Sequence, residues 1–165
     1  MEKKNIDWSN IGFGYIPTDK RFVSNYKNGA WDEGTLTSDA TVTISECAGV
    51  LQYAQTCFEG MKAYRTAEGK IQLFRPEMNA RRMIKSNERL CMPGVPEEMF
   101  VEAVKALVKA QEDWVPSEPG TSLYIRPFIF ATEASLGVHM AKSYKFVIIT
   151  TPVGAYYAEG INPVK

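Results

Sequence analysis

Polar and apolar residues alternate with a period of two in several short stretches of this chain, and recur with a helical period in two longer ones. Tyr26-Lys27-Asn28-Gly29-Ala30-Trp31 predicts a β-hairpin, because Asn-Gly tolerates the positive φ angles of a type I′ turn and aromatics flank it. Residues 40–45, Ala-Thr-Val-Thr-Ile-Ser, alternate like a strand. A second hairpin is expected from residues 61–66 and 70–74, turning at Ala67-Glu68-Gly69. Pro76 suits a first helical residue, where no N–H is needed, and starts a helix that runs to about Leu90. Pro96-Glu97-Glu98 opens the clearest helix, with acidic groups at its positive end and Met99, Phe100, Ala103, Val104, Leu107 and Val108 at core-facing spacing. Residues 116–120 read as a turn, and residues 122–131 and 145–151 as strands joined by a loop over 132–143.

Residues 6–20, rich in Gly, Pro and Asn, form no regular pattern around Phe13 and Tyr15. Hairpins come first, two helices next and strands last. That order predicts an α+β fold, a mainly antiparallel sheet with helices packed on one face. A length of 165 residues suits one domain, expected over residues 1–151. Residues 152–165 have the composition of an interdomain linker, so the chain reads as part of something larger, with a second domain to follow.

At 45% hydrophobic and 12% aromatic residues, the chain is rich enough to bury a core. Nineteen basic residues balance nineteen acidic ones, so no basic field exists to hold nucleic acid and any anion must be gripped locally. No apolar run approaches a bilayer's thickness, and the N-terminus lacks a signal-peptide core. Cys47, Cys57 and Cys91 have neither metal spacing nor a disulfide framework. They read as small buried thiols in a reducing, cytoplasmic protein.

The candidate chemistry is cationic. In Ser122-Leu123-Tyr124-Ile125-Arg126-Pro127, alternation places Tyr124, Arg126, Phe128 and Phe130 on one face of a strand. A guanidinium in such a face needs an anion, either an internal partner such as Glu133 or a ligand carboxylate with Tyr124 as hydroxyl donor. Around the first helix, Arg82 follows Met78 by four residues and is expected on the inward side, where it could meet a buried phosphate. Residues 53–65, Tyr-Ala-Gln-Thr-Cys-Phe-Glu-Gly-Met-Lys-Ala-Tyr-Arg, mix rings, cations and a carboxylate in a run that enters a strand. His139, the only histidine, has no serine or cysteine motif beside it and reads as a surface residue. Glycine-rich phosphate loops of the dinucleotide and Walker types are lacking.

Taken together, these stretches resemble the branched-chain amino acid aminotransferases, pyridoxal-phosphate enzymes of fold-type IV. The resemblance rests on Phe58-Glu59-Gly60-Met61-Lys62-Ala63, Leu73-Phe74-Arg75-Pro76, Leu123-Tyr124-Ile125-Arg126-Pro127, Ser135-Leu136-Gly137-Val138 and Pro152-Val153-Gly154-Ala155-Tyr156, in family order. It implies an enzyme that moves the amino group of leucine, isoleucine or valine to 2-oxoglutarate. By the same resemblance, Arg82 holds the phosphate of pyridoxal 5'-phosphate, and Tyr53 and Phe58 wall the pocket for the branched side chain. Tyr124 and Arg126 form its polar side, where Arg126 with Tyr53 accepts the distal carboxylate of glutamate. Leu136 and Val138 are implied to reach a neighbouring subunit's pocket in a homodimer, and Tyr156 to lie near the site. The family's Schiff-base lysine lies in its large domain, beyond this chain, so no catalytic residue is assigned and the 165 residues alone are expected to be inactive. Lys62 matches a family lysine near the site, and Lys165 lacks the family's glycine-rich context. Two alternatives stay open: a related fold-type IV transaminase or lyase, and a non-catalytic ligand-binding or dimerisation module.

Overall fold

Asn28 and Gly29 take φ angles of 54° and 84°, so the first hairpin turns as its sequence requires. Tyr26 pairs with Trp31 across it, their rings 5.3 Å apart. The computed structural model describes residues 6–8 and 11–154. In chain order these form β1 (Arg21–Lys27), β2 (Ala30–Trp31), β3 (Thr35–Thr37), α1 (Gly49–Tyr53), β4 (Thr56–Phe58) and β5 (Met61–Arg65). Then follow β6 (Ile71–Leu73), α2 (Pro76–Arg89), α3 (Glu97–Ala110), a 3₁₀ turn at Glu112–Trp114, β7 (Ser122–Ala131) and β8 (Tyr144–Val153).

The strands make one antiparallel sheet in the order β2-β1-β8-β7-β5-β6, with β3 beside β1 and β4 beside β7. The α+β expectation therefore holds. β7 and β8 pair along their full length, from Ser122 with Val153 to Ala131 with Tyr144. Pro152 and Val153, assigned from composition to the linker, are thus strand residues. Tyr156 and Lys165 lie outside the described residues.

β4 and β5 face β7 in one continuous register, interrupted opposite Pro127. The Glu59 N–H donates to the Pro127 carbonyl at 2.8 Å, as a narrow antiparallel pair should. Proline has no N–H with which to return that bond, so the ladder lapses at Glu59 and Gly60. The lapse lies in the middle of the sheet and sets apart the two residues around which the site is organised.

One sheet face carries the core. α3 buries Phe100, Ala103, Val104, Leu107 and Val108, as its periodicity predicts. Phe100 stacks on Phe146 of β8 at 5.9 Å, and Phe22 and Trp31 meet the same ring edge-on. Leu123, Ile125 and Ile129 of β7 lie fully buried on this side. A buried polar seam closes the end of α3: the Gln111 carboxamide accepts from Lys20 N and donates to Thr150 Oγ1. None of the described helices is long and apolar enough to cross a membrane.

Two sequence expectations fail here. Residues 40–45 form no strand: the segment is largely exposed, and Asp39 holds Thr41 in a local turn through its carboxylate. Alternation without a surface to bury against does not make a strand, and the pairing with β1 is made instead by Thr35–Thr37. The thiols are not uniformly buried either, since Cys91 is exposed and Cys47 and Cys57 only partly covered.

The Phe100–Phe146 stack anchors helix to sheet. Phe146→Ala should lower unfolding free energy by roughly 3–5 kcal/mol, measured by urea denaturation. A loss of under about 1 kcal/mol would mean that the core closes elsewhere.

Candidate functional site

The face of β7 turned away from the core carries Tyr124, Arg126 and Phe128, as alternation predicts. Opposite them β4 and β5 bring Phe58, Gly60, Lys62 and Tyr64 to the same side. The result is an open cleft of about 750 Å³, with Phe13, Phe74 and Asn79 at its margins. Half of its lining residues are aromatic, and two are cations.

Arg126 occupies the floor. Its guanidinium lies 4.6 Å from the centroid of the Phe58 ring and donates to the Tyr124 hydroxyl at 3.1 Å. Glu133, offered by the sequence as an internal partner, is elsewhere: it accepts from the Lys142 N–H and stands 3.5 Å from His139 Nε2. No carboxylate among the described residues meets Arg126. A half-buried cation held by a hydroxyl and π faces is a ready carboxylate receptor.

Arg82 sits differently from its expected place. The inward face of α2 is Ala80, Met83 and Asn87, whereas Met78 is partly exposed and Arg82 projects outward, its side chain 66% exposed. The phase inferred from Met78 was therefore misleading. Arg82 Nε and Nη2 each donate at 2.6 Å to the two oxygens of Glu59, which is only 4% exposed. The bidentate bond, reinforced by the carboxylate's charge, pushes the guanidinium pKa further up. Asn79 Nδ2 donates to Glu59 Oε2 at 2.9 Å and to the Gly60 carbonyl at 3.2 Å. Asn79 thus links this pair to the cleft, although Arg82 itself does not line it.

The remaining sequence candidates gather at a second place. Tyr53 ends α1, and its hydroxyl donates to the Leu136 carbonyl. The loop over 132–143 is tied to that short helix by Gly49 N–H to Glu133 O and Ser135 N–H to Cys47 O, at 3.1 and 2.9 Å. Leu136 and Val138 project from it, Val138 83% exposed. Tyr53, Phe58, Tyr124 and Arg126 therefore fall on connected elements, while Leu136 and Val138 point into solvent. Burial raises the Cys57 thiol pKa, which disfavours its thiolate. No group of His, Cys, Asp and Glu among the described residues could hold a metal ion.

Sequence reading missed two contributors. Glu59 stands in the sequence only as part of a motif, yet a carboxylate at a core-facing strand position demands a cation, and Asn79 and Arg82 lie one helical turn apart to receive it. Phe13 comes from a segment without periodicity, and its ring meets Tyr124 edge-on at 5.4 Å. That segment is strapped onto β8: Ile16 N–H donates to Thr151 Oγ1, and Gly154 N–H to the Gly12 carbonyl, at 2.8 and 2.9 Å. A Cβ on Gly154 would stand 2.0 Å from the Ile11 carbonyl oxygen, so only glycine admits the crossing. No sequence pattern signals either contact.

Gly60 makes another close approach, to a side chain that can yield. A Cβ there would stand 2.6 Å from the Tyr124 hydroxyl oxygen. Because the obstructing atom ends a movable side chain, Gly60→Ala should cost under about 1 kcal/mol, a melting shift of roughly 2–4 °C or less. The Tyr124 hydroxyl should nevertheless leave Arg126. A crystal structure of the variant with that contact intact would contradict the assignment.

No family model matches the chain. Among curated proteins, the branched-chain-amino-acid aminotransferase of Haemophilus influenzae is 49% identical over 161 residues, 97% of this chain and 47% of that protein. A branched-chain aminotransferase structure from Thermoproteus uzoniensis with norvaline superposes with a TM-score of 0.66 at 21% identity, covering 84% of this chain and 43% of that one. The branched-chain amino acid aminotransferase from Thermobaculum terrenum, solved in its PLP-form, reaches a TM-score of 0.60 at 20% identity, covering 82% and 41%. These two likenesses show the fold. The chain spans about half the length of the curated relatives it matches, and over that half it is similar to branched-chain-amino-acid aminotransferases at 46–49% identity.

Proposed function

We propose that this chain is the small N-terminal domain of a cytoplasmic, pyridoxal 5'-phosphate-dependent branched-chain aminotransferase. The complete protein moves the amino group of leucine, isoleucine or valine to 2-oxoglutarate. The observation that carries this reading is Arg126, a cation without a carboxylate partner among the described residues, set between Phe58 and Tyr124 in an open aromatic cleft. One pocket must accept both an aliphatic side chain and the distal carboxylate of glutamate. Rings supply the first requirement and one conditional cation the second.

The residues present suit the phosphate end of the cofactor. Arg82 offers an exposed guanidinium already held in one orientation by Glu59, which is what bidentate recognition of a phosphate monoester calls for. Pyridoxal phosphate, when bound, supplies the electron sink for amino-group transfer. Arg82 holds its phosphate, Phe58 walls the branched side chain off from water, and Tyr124 keeps Arg126 aimed into the cleft; Tyr53, hydrogen-bonded to Leu136 beside the cleft, is assigned to the same wall by resemblance alone. Leu136 and Val138, exposed on their loop, extend to the pocket of a neighbouring subunit in a homodimer. Tyr156, assigned to the same region by resemblance, lies outside the described residues. On this reading the lysine that anchors the cofactor comes from outside these 165 residues, and transamination requires it.

In the complete protein, Arg126→Gln should lower kcat/KM for glutamate by roughly 10- to 100-fold, the worth of a charge-assisted hydrogen bond, and that for leucine by no more than about threefold. Steady-state kinetics with both donors decides the point. An equal loss for the two would remove Arg126 from the proposed role.

A further inference from the structure

Glu59 lies between Cys57 and Met61 on the core-facing side of β4 and β5, where alternation asks for an apolar side chain. A buried carboxylate is tolerated only when its charge and lone pairs are met. Here both oxygens are met by Arg82 and one of them also by Asn79, while the Glu59 N–H is fixed on Pro127. The carboxylate has little freedom left.

The pair is lopsided. Glu59 is almost wholly covered, whereas Arg82 remains mostly exposed. An ion pair serving only the core would gain from covering both partners. Arg82 spends Nε and one N–H of Nη2 on Glu59, and no described residue accepts from Nη1. Three N–H donors thus stay open on the guanidinium edge that points away from the buried oxygens. A free arginine loses rotamer freedom on gripping an anion, and this one has already lost it.

Building on the reading of Arg82 as the cofactor's phosphate ligand, we propose that Glu59 is the positioning residue for that arginine: it fixes the guanidinium plane so that the open edge meets the phosphate monoester. Glu59 touches neither cofactor nor substrate. It sits between Phe58 and Gly60, so one short segment sets both the aromatic wall of the cleft and the orientation of the phosphate ligand. Two effects oppose each other. The Glu59 charge repels an incoming phosphate, and the prepaid order of Arg82 favours it. The charge is already consumed in two short bonds, so positioning wins and loss of Glu59 weakens binding.

The test uses the complete protein that carries this chain, stripped of cofactor, with binding of pyridoxal 5'-phosphate and of pyridoxal measured separately by equilibrium dialysis. Glu59→Gln keeps the shape but replaces two charge-assisted bonds by weaker ones. It should raise the Kd for pyridoxal 5'-phosphate about tenfold, leave pyridoxal within about twofold, and shift the ³¹P resonance of the bound phosphate. In an Arg82→Ala background the same change should do nothing further. Unchanged or tighter phosphate binding, an equal loss for pyridoxal, or an undiminished effect without Arg82 would each overturn the proposal. If Arg82→Ala weakens the phosphate form and Glu59→Gln does not, only the positioning role fails; if Arg82→Ala spares it, the phosphate reading of Arg82 fails as well. Should Glu59→Gln not fold, Arg82→Lys retains the charge but cannot span both oxygens. It should weaken the phosphate form about tenfold, and wild-type affinity in that variant would equally overturn the proposal.

Discussion

The strict two-residue period of β7 is the constraint on which the rest of the molecule depends. Leu123, Ile125 and Ile129 must enter the helix-covered side, and that requirement alone turns Tyr124, Arg126 and Phe128 to the other. A slip of one residue against β8 would drive the Arg126 guanidinium into the apolar core and expose Ile125. The register is held by pairing along the whole of both strands and by the ring stack that Phe146 makes with Phe100. The cation that defines the cleft is thus aimed by hydrophobic burial on the opposite face, with no anchoring carboxylate among the described residues.

A second constraint comes from the missing N–H of Pro127. Proline inside a central strand removes a ladder bond, and the cost falls on the facing residues, Glu59 and Gly60. Both are used. Gly60 leaves room for the Tyr124 ring, and Glu59 takes a buried post that reaches across to α2. The two arginines consequently belong to different surroundings: one sits on rings, and the other is clamped by a carboxylate from behind.

Much of this was legible in the residues. Both hairpins, both long helices and the opposed faces of β7 follow from period, turn chemistry and proline placement, because those signals are local. Residues 40–45 misled because alternation reports compatibility with a sheet, not the presence of a neighbour to pair with. Arg82 misled because helical phase was counted from Met78, which proved to be a surface residue. The Glu59 pairing and the Phe13 contact join positions far apart in sequence, and no periodicity carries that information.

The strap that carries Phe13 onto Tyr124 has a consequence in time. Ile16 is bound to Thr151, 135 residues later, and the Gly154 crossing comes later still. During synthesis at about 5–20 residues per second, the first wall of the cleft therefore waits roughly 7–30 s for the strand that holds it. Until then Tyr15 and the aromatic face of the sheet stand open, and closure of so long a loop makes this among the slowest contacts to form. The segment of the cleft that leaves the ribosome first thus waits longest for its partner strand.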